Sequence, residues 1–201
     1  MPIEDVVAAL LVGGVVVLPT DTVYGLVAVA RDHAATAALF ALKGRPEGVP
    51  LAVLCASVEQ ALALVDPSVG APVEAVAARW WPGPLTLVLP RRDGVDLHLG
   101  EPAGTVGVRV PDHDLVRAVA ARVGPIAATS ANRHGAPVAE TAAAAAALGD
   151  RVALVVDGGT LEGRSSTVVD ATAWPWVVLR AGPVDGDAVI AVAAAARGPA
   201  G

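Results

Sequence analysis

Residues 14–30 read GVVVLPTDTVYGLVAVA, two apolar runs on either side of a polar turn. Val15 to Leu18 is unbroken and ends at Pro19, the pattern of a strand buried on both faces. Tyr24 to Ala30 reads as a second strand. Between them Thr20, Asp21 and Thr22 put two hydroxyls and a carboxylate at a strand end, with the phenol of Tyr24 beside them. Open α/β sheets place ligands at such ends. Gly25 lets the backbone approach a ligand closely. The same residue types also make ordinary polar turns, so local chemistry leaves both readings open.

Outward from this stretch, helical and strand patterns alternate. Ile3, Val6, Val7, Leu10 and Leu11 recur at helical spacing and stop at Gly13-Gly14. Asp32 caps a helix through Leu42 that Gly44 ends, and Leu51 to Cys55 is an apolar strand. Ser57 and Gln60 form a capping box for the next helix. Pro72 to Trp81 reads as helix, closed by Pro82-Gly83-Pro84. Leu85–Leu89, Thr105–Val110 and Ile126–Thr129 read as strands, and Asp112 is expected to cap a helix ending near Gly124. Thr141 caps the alanine run Ala142–Ala147, a docked helix because alanine is the best helix former. Three more strands, at Arg151–Val156, Thr167–Asp170 and Trp176–Leu179, precede a final helix over Val184–Arg197 and a frayed tail. This interleaving implies an α/β (or α+β) fold, a sheet with flanking helices. No Pro/Ser-rich linker divides it, so one domain is expected over residues 1–201, its core at about 3–190.

Composition excludes several classes. The net charge is −6, and the aromatics number four Trp, one Tyr and one Phe. A nucleic-acid binder needs a basic stripe and stacking surfaces, so no stable nucleic-acid binding is expected. Cys55 is the single cysteine, read as a buried structural thiol. The N-terminus lacks the basic region of a signal peptide, and the uncharged stretch Val6–Thr20 is interrupted and short. No membrane association is expected, and the chain reads as cytoplasmic. His33, His98, His113 and His134 are scattered without metal-ligand spacing, so no protein-bound zinc is expected. Walker A, G-x-G-x-x-G and G-x-S-x-G motifs are absent from the sequence, and neither flavin nor NAD is expected.

Lys43-Gly44-Arg45-Pro46 closes the helix begun at Asp32. Lys43 is the only lysine among fourteen lysines and arginines. A chain so biased toward arginine keeps a lysine where a compact point charge is needed. With the fork of Arg45 it would make a triphosphate clamp, unless both merely complement the helix C-terminus. Arg109, inside the apolar strand, must find a carboxylate or phosphate, in a substrate or in a structural ion pair. Arg180, ending a later strand, poses the same question. Thr129-Ser130-Ala131-Asn132 places small polar groups at another strand end; Asp157-Gly158-Gly159 and Ser166-Thr167 complete the set. Trp80-Trp81-Pro82-Gly83-Pro84 reads as a rigid turn with core packing rather than a pocket wall.

Taken in order, these segments resemble the YrdC-like threonylcarbamoyl-AMP synthase family. The match runs from Gly14–Leu26 through Lys43–Pro46 with Pro50-Leu51, Trp81–Thr86, Val108–Pro111 and Ser130–Asn132. Asp157–Gly159, Ser166-Thr167 with Asp170, and Leu179-Arg180 with Gly182 close it. The resemblance implies a twisted mixed sheet with a large concave substrate cavity, in a stand-alone domain without the C-terminal domain of longer members. It implies condensation of L-threonine, bicarbonate or CO2, and ATP with Mg²⁺ into threonylcarbamoyl-AMP and pyrophosphate, followed by a downstream complex that transfers the group to tRNA. Motif matching assigns Thr22, Arg109, Ser130 and Ser166 to threonine, and Lys43, Arg45, Thr105, Asn132 and Arg180 to ATP. Lys43 and Arg45 carry the charge stabilisation at the phosphates, and no metal ligand comes from the protein. The chain departs from many relatives at Val49, Leu54, Ser165 and Arg133-His134. Two alternatives stay open: a paralogue acting on another carbamate or adenylate, and a non-catalytic RNA-binding module of translation.

Overall fold

A computed structural model describes residues 3–149, 151–161 and 163–198. Strand β1 (Val15–Leu18) follows helix α1 (Ile3–Leu11), and β2 (Gly25–Val29) returns antiparallel to β1 with Leu18 opposite Gly25. Val16, Val17 and Leu18 are fully buried, each side chain contributing about 1.5–3 kcal/mol. Helix α2 (His33–Lys43) starts where the Asp32 side chain accepts the Ala35 N–H and stops at Gly44, whose φ of 62° suits a residue without Cβ. After β3 (Ala52–Leu54) comes α3 (Val58–Leu62), with Ser57 accepting the Gln60 N–H and the Gln60 side chain accepting the Ala56 N–H.

Helix α4 (Gly70–Trp80) begins two residues before Pro72, after a 3-10 turn at Pro67–Val69. It ends where the Trp81 indole donates to the Leu85 carbonyl at 2.7 Å. Strands β4 (Leu85–Pro90) and β5 (Thr105–Arg109) lead to α5 (Asp114–Val123) and β6 (Ile126–Ser130). The cap of α5 differs from the sequence expectation. His113 occupies the cap position without a side-chain bond, and the Asp112 carboxylate accepts from Arg117 instead. The nearby guanidinium offers a charged partner, which outcompetes the backbone N–H groups.

Helix α6 (Ala142–Ala146), capped by Thr141, precedes β7 (Val152–Val155). Strands β8 (Thr167–Asp170) and β9 (Val177–Arg180) and helix α7 (Gly186–Arg197) complete the described chain. Of the tail read as frayed, 199–201 lie outside the described residues.

The strands form one twisted mixed sheet in the order β7-β1-β2-β6-β3-β5-β4-β8-β9. Three neighbouring pairs are parallel (β1·β7, β3·β5, β4·β8) and the other five antiparallel, β1·β2, β2·β6 and β6·β3 in succession. One face packs under α2, α3, α4, α6 and α7, receiving Val15, Val17, Val53, Leu85, Leu87, Leu89, Val106 and Val108. The opposite face receives Val16, Leu18, Val27, Leu54, Ile126 and Ala128, covered by Val6 and Leu10 of α1 and Val116 and Val119 of α5. The sheet residues that pack with those two helices lie on β1, β2, β3, β6 and β7. Toward β5, β4 and β8, the residues of this face, Gly107, Val88 and Val168, line a cavity instead, whose edge reaches back to Ala52 and Ala128. The strand period of two thus turns an uncovered half-face into a cavity. No described helix is long and apolar enough to cross a membrane.

Candidate active site

The cavity has a volume of about 270 Å³. Its floor is Ala128, Ala52, Gly107 and Val88, aligned across β6, β3, β5 and β4 by the pairings Ala52↔Ala128, Ala52↔Gly107 and Val88↔Gly107. Small apolar side chains make this floor shallow enough to admit a flat ligand. The cavity's polar groups come from separate parts of the chain, set among apolar side chains such as Leu51, Leu99 and Leu179. Thr22 comes from the β1–β2 turn, Thr129 and Ser130 from the end of β6, Thr86 from β4, Thr105 from β5, and Ser165 and Ser166 from the approach to β8. Three guanidiniums, Arg45, Arg109 and Arg180, line the same space, and no described carboxylate does.

Each cation is held differently. Arg45 donates to the Val49 and Pro50 carbonyls at 2.6 and 2.8 Å and to the Thr129 hydroxyl at 3.2 Å. Arg180 donates to the Ser166 carbonyl and hydroxyl, both at 3.0 Å, and that hydroxyl also bonds Thr86 at 2.9 Å. Arg109 donates to the Gly83 carbonyl and the Thr22 hydroxyl, each at 3.0 Å, and forms an ion pair with Asp21. Burial, and next the neighbouring Arg180, lowers the pKa of Arg45. Burial, and next Arg109, does the same to Arg180. Burial also lowers that of Arg109, against the pull of Asp21. These like charges are therefore close enough to repel, an arrangement that an anion relieves.

Lys43 stands behind the wall rather than in it. It is 3% exposed, and its ammonium donates to the Ser130 carbonyl (2.7 Å) and hydroxyl (3.0 Å) and to the Asn132 carbonyl (3.0 Å) and side-chain oxygen (2.8 Å). Burial, then the charge of Arg45, pushes its pKa down to about 8. Asn132 likewise is outside the lining. Of the residues singled out in the sequence, the cavity gathers Thr22, Arg45, Thr105, Arg109, Ser130, Ser166 and Arg180; Lys43 and Asn132 brace the strand end that carries Ser130.

Other motifs take structural places. The Tyr24 hydroxyl, fully buried, donates to the Gly159 carbonyl at 2.7 Å and accepts the Gly158 N–H at 3.0 Å. Gly158 lies so close to the Pro19 ring that a Cβ there would collide with it. Asp157-Gly158-Gly159 therefore clamps the turn after β1. Cys55 is fully buried, and its thiol pKa is pushed up to about 12 by burial. Trp80 and Trp81 are not among the cavity walls. Sequence reasoning did not assign Thr86, nor Asp21 as the acid facing Arg109. An arginine in an apolar strand signals that some acid must answer it, but nothing local indicates one 88 residues away.

A family model for Sua5/YciO/YrdC, described as "Telomere recombination", matches residues 8–182. The chain belongs to the Sua5/YciO/YrdC family. A Pyrococcus abyssi member named "Threonylcarbamoyl-AMP synthase" is 42% identical over 173 residues, 85% of this chain and 51% of its own length. A Mycobacterium leprae relative is 41% identical over 184 residues, 90% of this chain and 83% of its own. The chain thus spans about half the length of the first and most of the second. A crystal structure of Pyrococcus abyssi Sua5 complexed with L-threonine superposes with a TM-score of 0.87 at 38% identity, covering 94% of this chain and 56% of that one. The twisted mixed sheet with flanking helices is the architecture shared with that Sua5 structure.

Proposed function

We propose that the chain is a threonylcarbamoyl-AMP synthase, an enzyme that condenses L-threonine, bicarbonate or CO2, and Mg·ATP into threonylcarbamoyl-AMP and pyrophosphate. The observation that carries this reading is one cavity walled by three guanidiniums, two of them without an acid partner among the described residues. The Pyrococcus abyssi relative's name and the L-threonine in the Sua5 structure support the choice of substrates.

The chemistry needs no covalent protein nucleophile. The threonine amine, having lost one proton to solvent, adds to carbon dioxide and releases a second proton, which leaves a carbamate. A carbamate oxygen attacks the α-phosphorus of ATP, the bond to the β-phosphate oxygen breaks, and pyrophosphate leaves. Charge building on the phosphates is stabilised by Arg45 and Arg180, which approach with fixed geometry because carbonyls and hydroxyls already hold them. Lys43, one layer behind, adds positive potential and fixes Ser130 and Asn132. Mg²⁺ arrives on the nucleotide as part of the substrate. Thr22, Ser130 and Ser166 offer small polar partners to the amino acid, Arg109 takes its carboxylate, and the lean floor leaves room for the purine. Thr105, at the end of the floor, sits beside the nucleotide. Alignment of amine, carbamate and phosphorus supplies most of the acceleration. The product passes in the cytoplasm to a separate complex that modifies a tRNA adenosine.

The test is pyrophosphate release measured with all three substrates and with each omitted in turn. Release requiring all three is expected. Release that continues unchanged without threonine rejects this reading in favour of a different carbamate or adenylate.

A further inference from the structure

Three arginines in one cavity create a problem of register. A polyphosphate is attracted to any of them, and a triphosphate that settled on the wrong one would occupy the amino-acid position. The structure distinguishes them by their partners. Among the described residues, Arg45 and Arg180 donate only to carbonyls and hydroxyls, and no described carboxylate pairs with either. Of the three, Arg109 is the one that meets a described carboxylate, with side-chain exposures of 6% for Arg109 and 11% for Asp21.

The placement of Asp21 is not incidental to a flexible loop. The Thr20 hydroxyl accepts the Thr22 and Val23 N–H groups at 3.1 and 3.2 Å and donates to the Val23 carbonyl at 2.7 Å, which locks the turn around Asp21. The β1–β2 turn thereby reaches past β6 and β3 to the end of β5. One Asp21 oxygen bonds Arg109, while the other is buried without a hydrogen-bond partner. Asp21 is not among the cavity walls, so its charge acts through Arg109 and not by contact. Arg109 uses one N–H at each nitrogen within the chain, three of the five a guanidinium carries, leaving two.

We propose that Asp21 is a specificity-determining positioning residue. It offsets part of the charge of Arg109 as seen by phosphate, reserving the remaining guanidinium N–H groups for a substrate carboxylate and favouring Arg45 and Arg180 for polyphosphate. This rests on the synthase reading for the identity of the amino acid, but the electrostatic claim stands on the ion pair. Both anions use the directed donors of a guanidinium, but a polyphosphate carries several charges to the carboxylate's one and so responds more steeply to the net charge around it.

The experiment is titration calorimetry of the full chain with inorganic tripolyphosphate and, separately, with L-threonine, each alone and in the presence of the other. In the unaltered protein the two ligands are expected to bind without competing. Asp21→Asn, which keeps an oxygen for Arg109 but removes the charge, should tighten tripolyphosphate about tenfold and make it compete with threonine. A role limited to holding the fold would weaken both ligands instead. Unchanged or weaker tripolyphosphate binding by a folded Asp21→Asn protein, judged by circular dichroism, overturns the proposal. The neutral pair Asp21→Asn with Arg109→Gln supplies a second reading should the single variant not fold. It should keep the original tripolyphosphate affinity while losing threonine, and loss of both would show that Arg109 does serve phosphate. If the unaltered protein binds no threonine, the synthase reading fails, and the change in tripolyphosphate affinity still decides the role of Asp21.

Discussion

Lys43→Met isolates a charge that the fold buries at a cost. The lysine pKa falls from its ordinary 10.5 to about 8, first through burial and second through Arg45. A folded-state pKa below the unfolded one means that the folded chain releases its proton more readily. Between about pH 8 and pH 10.5 the unfolded chain therefore binds more protons, and the stability contributed by this group rises with pH. That fall corresponds to roughly 3 kcal/mol, most of it appearing above pH 8. Cys55 works in the opposite sense above its ordinary 9.0, because its folded-state value is about 12. The quantity to measure is thus the difference in unfolding free energy between the unaltered chain and Lys43→Met, by urea denaturation from pH 7 to 10.5. That difference should move in favour of the unaltered chain by about 3 kcal/mol across the window. Over the same range the KM for ATP of the unaltered chain should rise, since the neutral amine no longer adds to the phosphate-binding potential. A stability difference that is flat or falls with pH would refute the claim that a desolvated ammonium sits beneath Ser130 and Asn132.

Two further outcomes follow from the cavity and its clamp. Arg45→Ala should weaken ATP by about tenfold or more and leave threonine nearly unchanged, while Arg109→Ala should do the reverse; calorimetry with each ligand checks this, and equal losses would contradict the partition. Tyr24→Phe removes the donor to the Gly159 carbonyl and the acceptor of the Gly158 N–H, and should cost about 1–3 kcal/mol in denaturant unfolding with the sheet otherwise intact.

The elements were legible because their signals are local. Gly13-Gly14, Asp32, Gly44, Ser57 and Thr141 each act within one turn of chain, and each bounds a helix in the structure. Asp112 misled because a charged partner five residues on outbid the cap. The site was legible as a set of suspects: a lone lysine, arginines in apolar strands, and hydroxyls at strand ends. Its arrangement was not. That Lys43 faces Ser130 and Asn132 while Arg45, two residues later, faces the cavity depends on how α2 docks against β2 and β1 beside β6, and no short-range pattern encodes that.

Chain chemistry alone determined the alternation of helices and strands and marked out the cations and hydroxyls at their ends. Tertiary structure alone decided which half of the sheet stays uncovered, because that depends on how far α1 and α5 extend across it. It also decided which arginine meets an acid. Two groups 88 residues apart become partners only when four strands are laid side by side, so that one of the three cavity guanidiniums is paired and the other two have no acid partner among the described residues.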